Sequence, residues 1–294
     1  MSFARSDLAA ECGATHTGEG VRVHEEEQGG CRICRVRICD EAAAARIGKP
    51  VGRYVTLMCE SFALMNAEES ERVRCALAVE LRSMAERMCE RRITPQFSVL
   101  VAGLGNADIT PDALGPLTVS HLTVTRDPSG AQGGSLEVVG RCRMSALAVG
   151  VSARTGLESA EILRGAVRET HPDLIVAVDA LAARDAARLG STVQISDTGI
   201  RPGSGIGARH TALCAESCGV PVLALGVPTV VDAATLVYDA LTGAGYGELT
   251  EELRHSLAAR RRFFVTPRDA DLMLSGAAIL LASALEKAFS QETL

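Results

Sequence analysis

Two aspartates in this sequence follow short apolar runs in a placement where carboxylates can do chemistry. The first is Asp112. Val99 to Ala102 is an apolar run bounded by glycine and reads as a buried strand of a parallel sheet. Gly103, Gly105 and Asn106 then allow a tight turn, and Thr110-Pro111-Asp112 has the form of a helix entrance with proline at the first helical position. The second is Asp179, which ends the apolar run 174–178 and precedes the helix-forming stretch Ala180-Leu181-Ala182-Ala183-Arg184. Open α/β sheets put ligands and reactive groups beyond the carboxyl ends of their strands. Two carboxyls brought to one crevice share a proton, so that one can hold water as a base while the other donates to a carbonyl. Aspartate is also favoured in first helical turns and at N-caps for structural reasons alone. The chemical reading therefore needs both acids together.

Other motifs compete for the site. Asp197-Thr198-Gly199 is the signature tripeptide of pepsin-like and retroviral aspartic proteases. Those enzymes are all-β, whereas this chain alternates strands with helices, so Asp197 is kept as a reserve residue for the rim of the site. Gly203 to Ala208 fits GxGxxA but follows Pro202 rather than a strand, which disfavours a dinucleotide site and leaves close backbone approach along a peptide as an equal reading. The six histidines are dispersed, with His210 nearest the glycine-rich loop, and neither GxSxG nor HExxH occurs. Cys31 and Cys34 form a CxxC with Cys39 nearby, but the only other close pair, Cys214 and Cys218, has CxxxC spacing. A zinc site wants a matching second pair, so the ten cysteines are expected to be free thiols acting as small hydrophobic residues, with no metal and no cofactor.

The elements that must position these groups can be read in order. Residues 1–18 are small, polar and aperiodic and read as a loose arm. Val21 to Ile38 alternates around Gln28-Gly29-Gly30 and predicts a β-hairpin, with a bulge where the beat fails between Ile33 and Val36. Tyr54 to Leu57 is a brief strand. Asn66 with Glu69 offers a capping box, and Val73, Leu77, Leu81, Met84 and Met88 mark one face of a long helix. Residues 127–140 are rich in Gly, Pro and Ser and read as a loop. Thr155 to Glu158 predicts a second capping box, for a helix to about Thr170; then come a strand over 174–178, a helix through Leu189, and strands at Thr192 to Ile195 and Pro221 to Leu225. This alternation predicts an α/β domain: three layers, with a largely parallel sheet and helices on both faces, plus an N-terminal β-hairpin extension. No boundary interrupts it, so residues 10–294 read as one domain.

Composition narrows the function classes. Of 294 residues, 47% are hydrophobic and 3% aromatic, with no Trp, and the formal net charge is −6. Few aromatics and an acidic balance disfavour direct nucleic-acid binding. The N-terminus has no apolar stretch of signal-peptide type, and the apolar run Leu272 to Leu285 is about fourteen residues where a membrane span needs roughly twenty. The expectation is a core helix of a cytoplasmic protein.

The segments GLGN, TPDALGP, VDALAAR, QISDTGIRPGSGIG and GVPTVVDA, in this order, with GRYVTL before and VTP after them, resemble the germination proteases of endospore-forming bacteria. The resemblance covers most of the chain. It implies an endopeptidase that begins the degradation of small acid-soluble spore proteins, located in the forespore or spore core and assembled as a homotetramer. It implies Asp112 and Asp179 as the catalytic pair, and a phosphorylase/hydrolase-like fold shared with hydrogenase maturation proteases. Those relatives add a histidine and a metal, for which no matching motif is present here. The resemblance also implies a self-processing zymogen. Substrates of the family carry an acid, a hydrophobic residue and a small residue before the cut and an acid two places after it, and the arm reads Asp7-Leu8-Ala9 then Ala10-Glu11. Cleavage between Ala9 and Ala10 would make residues 1–9 a propeptide. The region between Tyr238 and Phe263 is shorter than in the family, with residues 243–262 read as a polar, basic link. The competing functions are an inactive α/β nucleotide-binding or interaction module and a metal-dependent maturation-type endopeptidase.

Overall fold

The computed structural model describes residues 6–13, 18–127, 141–203, 211–246, 250–258 and 263–291. In chain order the elements are α1 (Ala9–Gly13), β1 (Val21–Gln28), β2 (Cys31–Ile38), α2 (Glu41–Ile47), β3 (Gly52–Met58), α3 (Ala67–Cys89), β4 (Ser98–Leu104), α4 (Leu114–His121), β5 (Arg143–Gly150), α5 (Ser152–Thr155) and α6 (Ser159–Thr170). There follow β6 (Leu174–Ala183), β7 (Thr192–Ser196), α7 (Ala215–Cys218), β8 (Val222–Asp232), α8 (Ala233–Gly243), α9 (Glu251–Ala258), β9 (Phe264–Val265) and α10 (Ala270–Ala288). The nine strands form one sheet in the order β1-β2-β3-β7-β8-β6-β4-β5, with β9 paired to the end of β8.

The class is α/β, as the alternation predicts. Its sheet is mixed: β8, β6, β4 and β5 pair in parallel, while β1, β2, β3 and β7 continue it with antiparallel ladders. The N-terminal hairpin is thus built into the main sheet through β3 and β7. Helices α3, α4 and α10 cover one face, where Leu77, Leu81, Leu114 and Leu281 meet Val99, Val176 and Leu223. On the other face α6 and α7 pack Leu163 and Cys218 against Leu100, Ile175 and Val222. Helices α1 and α2 extend that second layer over β2 and β3. The capping box at Asn66 and Glu69 forms, and Val73, Leu77, Leu81 and Met84 are the buried stripe of α3.

Several expectations change. β2 runs without a bulge in unbroken register with both neighbours. Ile33 faces the α3 layer and Cys34 and Val36 face the α2 layer, so the failed beat records burial on both sides of a strand. Cys31 and Cys34 accordingly point to opposite faces. The run after Asp179 is strand, not helix: Ala180 to Ala183 pair with β8 from Val227 to Val231. Alanine and leucine prefer helix weakly, and a full parallel ladder outweighs that preference. Strand β5 carries no clear alternation and was not expected from sequence. The second capping box sits one turn later than the sequence suggests, with Glu158 as N-cap and Glu161 answering it. The supposed polar link contains α9, whose Leu257 packs on Ala234, Tyr238 and Leu241. The loop 127–140 and the core of the GxGxxA motif, with His210, lie almost entirely outside the described residues.

Residues 6–13 of the arm are not loose. Leu8 and Ala9 are fully buried and Ala10 is 8% exposed. The Asp7 amide donates to the Ala182 carbonyl at 2.8 Å and the Ala182 amide returns a bond to Asp7 Oδ2 at 2.9 Å. The aperiodic composition misleads because this segment is anchored by backbone pairing and one apolar plug rather than by an amphipathic face.

Candidate active site

Asp112 ends a single 3-10 turn, Thr110–Asp112, between β4 and α4. Three features hold it there. Gly105 adopts φ +100, and a Cβ at that position would lie 2.1 Å from the Asp112 carbonyl oxygen, so only glycine lets the chain fold back so closely. Gly115, in the first turn of α4, packs directly on the strand ends; a Cβ there would lie 2.4 Å from the Leu104 nitrogen and 2.6 Å from the Val178 oxygen. The Thr229 hydroxyl of β8 donates to the Pro111 carbonyl at 2.6 Å, which pins the turn across the sheet. The Asp112 carboxylate accepts the Asn106 amide at 2.8 Å.

Asp179 lies inside β6, opposite Gly226 of β8, on the sheet face that carries Ile175, Ala177 and Leu181. It is 6% exposed, and its Oδ1 accepts the Ala180 amide at 3.0 Å. Val178, the residue that Gly115 touches, is its neighbour, so the close approach of α4 also sets Asp112 near Asp179. The two aspartates line one cavity of about 280 Å³ with Ile109, Thr229, Arg201 and Phe264.

The electrostatics separate the pair. Burial pushes the Asp179 carboxyl well above the ordinary carboxylate range, the charge of Asp112 pushes it further, and Asp7 adds to the rise against the Ala180 amide. Burial also raises Asp112, opposed by the Asn106 amide. Burial and the Asp112 charge thus favour the protonated form at Asp179. Such a pair can activate a water and polarise a carbonyl in the same cavity.

The arm reaches this cavity, because Asp7 is part of its lining. A second cavity of about 440 Å³ adjoins it and shares Asp7, Leu181, Ala182, Ile200 and Arg201. Leu8 fills a pocket of Leu181, Ala183 and Val231. The Ala9 amide donates to Gln194 Oε1 at 2.7 Å, and Gln194 Nε2 donates to the Asp7 carbonyl at 2.9 Å. The Glu11 carboxylate accepts the amides of Arg184 and Asp185, both at 2.9 Å, and Lys49 Nζ donates to the Ser6 carbonyl at 3.1 Å. Each acid of the segment is thus received by strand-end amides and its apolar residue by a pocket.

Asp197 is not brought to the aspartate cavity. Its Oδ1 accepts the Arg53 amide at 2.7 Å and joins the ends of β3 and β7. Gln194 and Thr229 were not singled out from the sequence, although both lie in segments that carry the resemblance, QISDTG and GVPTVVDA. Among the described residues, no group of three His, Cys, Asp or Glu side chains converges as a metal site.

The chain is similar to known proteins. A family model described as germination protease matches residues 4–255. A germination protease of Caldanaerobacter subterraneus is 37% identical over 97% of this chain and 93% of its own length. Germination proteases of a Geobacillus species and of Bacillus cereus are 42% and 43% identical over 76% of this chain, which there spans 59% of their length. A solved [NiFe] hydrogenase maturation protease from Thermococcus kodakarensis aligns at 21% identity over 46% of this chain and 75% of its own, with a TM-score of 0.31, too low to carry an argument.

Proposed function

Because this chain belongs to the germination protease family, we propose that it is an endopeptidase that begins the degradation of small acid-soluble spore proteins during germination, with Asp112 and Asp179 as its catalytic pair. The observation that carries the reading is the shared cavity that both aspartates line, with burial and the charge of Asp112 favouring the protonated form at Asp179. Asp112 takes a proton from water as the water oxygen attacks the peptide carbonyl, and Asp179 gives its proton to the carbonyl oxygen. On collapse, Asp179 recovers a proton from the tetrahedral carbon's hydroxyl while Asp112 delivers one to the departing amine, and the C–N bond breaks. Both carboxyls end as they began.

We read residues 1–9 as a propeptide that the enzyme removes from itself between Ala9 and Ala10. The seating of Asp7, Leu8 and Glu11 supports this reading, since the seat matches an acid, an apolar residue and a second acid. In the described state the bond is latent. It lies in the first turn of α1, and Gln194 is opposite Gly226, itself opposite Asp179, so two strand spacings, about 10 Å, separate the arm's anchor from the acid. Assembly as a homotetramer and residence in the forespore or spore core belong to the same reading; no helix among the described residues is long and apolar enough to cross a membrane.

The test is incubation of the protein and of Asp112→Asn and Asp179→Asn, each produced without residues 1–9, with a small acid-soluble spore protein, read on a gel and by mass spectrometry. Discrete cleavage by the parent and none by either variant is expected. Full activity in either variant overturns the pair.

A further inference from the structure

On the sheet face opposite Asp179, the registers of β1, β2 and β3 put Arg22 opposite Arg37 and Arg37 opposite Arg53. Residues directly opposite share a face with Cβ atoms about 5 Å apart, and like charges so placed are destabilising. The row opens into a cavity of about 480 Å³ between these strands and α3, whose Glu80, Ser83 and Arg87 form the wall. Five arginines and one glutamate line it, and with Glu26, which also holds Arg35, the excess is three positive charges, in a chain whose formal net charge is −6. Arg35 is taken up by Glu26 and Glu80. Arg22, Arg37, Arg53 and Arg87 make no ion pair among the described residues, so the row's charges are not neutralised within the fold.

We propose that this cavity binds a small polyphosphate anion, of the di- or triphosphate chemistry carried by nucleotides and inorganic polyphosphates. Guanidinium forks match phosphate oxygens two at a time. The row crosses two strand spacings, about 10 Å, so one phosphate cannot engage it all, and a phosphate chain can. The charge excess of three matches such a chain and exceeds a dicarboxylate. The cavity volume is in the small-molecule range. A bound chain would remove the repulsion along the row. This site is separate from the aspartate cavity and the inference does not depend on the peptidase reading.

Calorimetric titration of the full chain with sodium triphosphate tests it. One-to-one saturable binding is expected, weakening with salt. Arg37→Gln and Arg53→Gln should each weaken binding about tenfold or more, as expected for loss of a charge-assisted hydrogen-bonding fork. Arg168→Gln, an exposed arginine on α6 across the sheet, should leave it unchanged. Without ligand, Arg37→Gln should melt no lower than the parent, since it relieves a like-charge contact, and this separates lost binding from lost folding. No saturable heat, equal weakening by Arg168→Gln, or tighter binding of a DNA duplex at equal phosphate concentration would each overturn the proposal.

Discussion

Asp179 makes a demand on stability that its partner makes more weakly. Its carboxyl is held protonated by burial first and by the Asp112 charge second, so its pKa in the folded protein lies above the unfolded value. The folded state then binds the proton more tightly. The stabilisation this gives is complete below the unfolded pKa and is lost as pH rises through the folded one, at about 1.4 kcal/mol per unit of displacement. Asp179→Asn removes the group that must charge. It should raise the melting temperature at alkaline pH, with the gain vanishing below about pH 4, where the parent is protonated in both states. The same variant should cut activity about a hundred- to ten-thousandfold, the usual range for loss of a general acid or base. A fall in melting temperature at every pH would show that Asp179 holds structure rather than a proton. Asp112 must be ionised as base and its pKa is also raised by burial, so the acid limb of the activity profile should lie above the ordinary aspartate range. The alkaline limb should follow deprotonation of the pair's second carboxyl, and Asp112→Asn should abolish the acid limb together with the activity.

At the scale of elements, the meeting of the two aspartates depends on how closely α4 approaches β4 and β6. Gly115→Ala would put a methyl 2.3 Å from the Leu104 oxygen and 2.6 Å from the Val178 oxygen, neither of which is a flexible side-chain end. The helix must back away, at about 1–3 kcal/mol, and Asp112 moves with it. A large loss of turnover with a modest loss of stability is expected from kinetics and thermal melting; unchanged kcat would show that this contact does not position the site. The same contrast explains what the sequence made legible. The strand before Asp112, the capping box at Asn66 and the stripe of α3 are local patterns, and local patterns survive in the fold. The ladder that turns Ala180 to Ala183 into strand is supplied by β8, some fifty residues on, and nothing within the alanine-rich run records it. Gln194 and Thr229 escaped notice for a related reason, since each acts on a partner remote in sequence, at Ala9 and Pro111. The arm was misread because its order comes from the extended end of β6, a strand the alanine-rich run concealed.

For the whole molecule the arm joins the two ends of the argument, since its seat is built from the same strand that carries Asp179. Leu8 plugs the pocket of Leu181, Ala183 and Val231, and Leu8→Ala should loosen the arm by about 2–5 kcal/mol of lost packing. Hydrogen exchange at residues 6–13 should speed up, because the five-residue α1 cannot persist without its contacts. The arm is held by Asp7 to Ala182, Ala9 to Gln194, Glu11 to Arg184 and Asp185, and Ser6 to Lys49. Because this seat lies on β6, the strand that carries Asp179, self-cleavage should be first order, with a half-time independent of protein concentration, and limited by unwinding of α1 rather than by encounter. N-terminal sequencing of the processed protein should begin Ala-Glu-Cys. Asp112→Asn should keep its arm, and should keep it even when mixed with active enzyme under native conditions, because a fully buried Ala9 presents no extended backbone to a second molecule. A half-time that shortens with concentration would assign the cut to a neighbouring molecule, and an active enzyme that retains residues 1–9 would remove the propeptide from the mechanism.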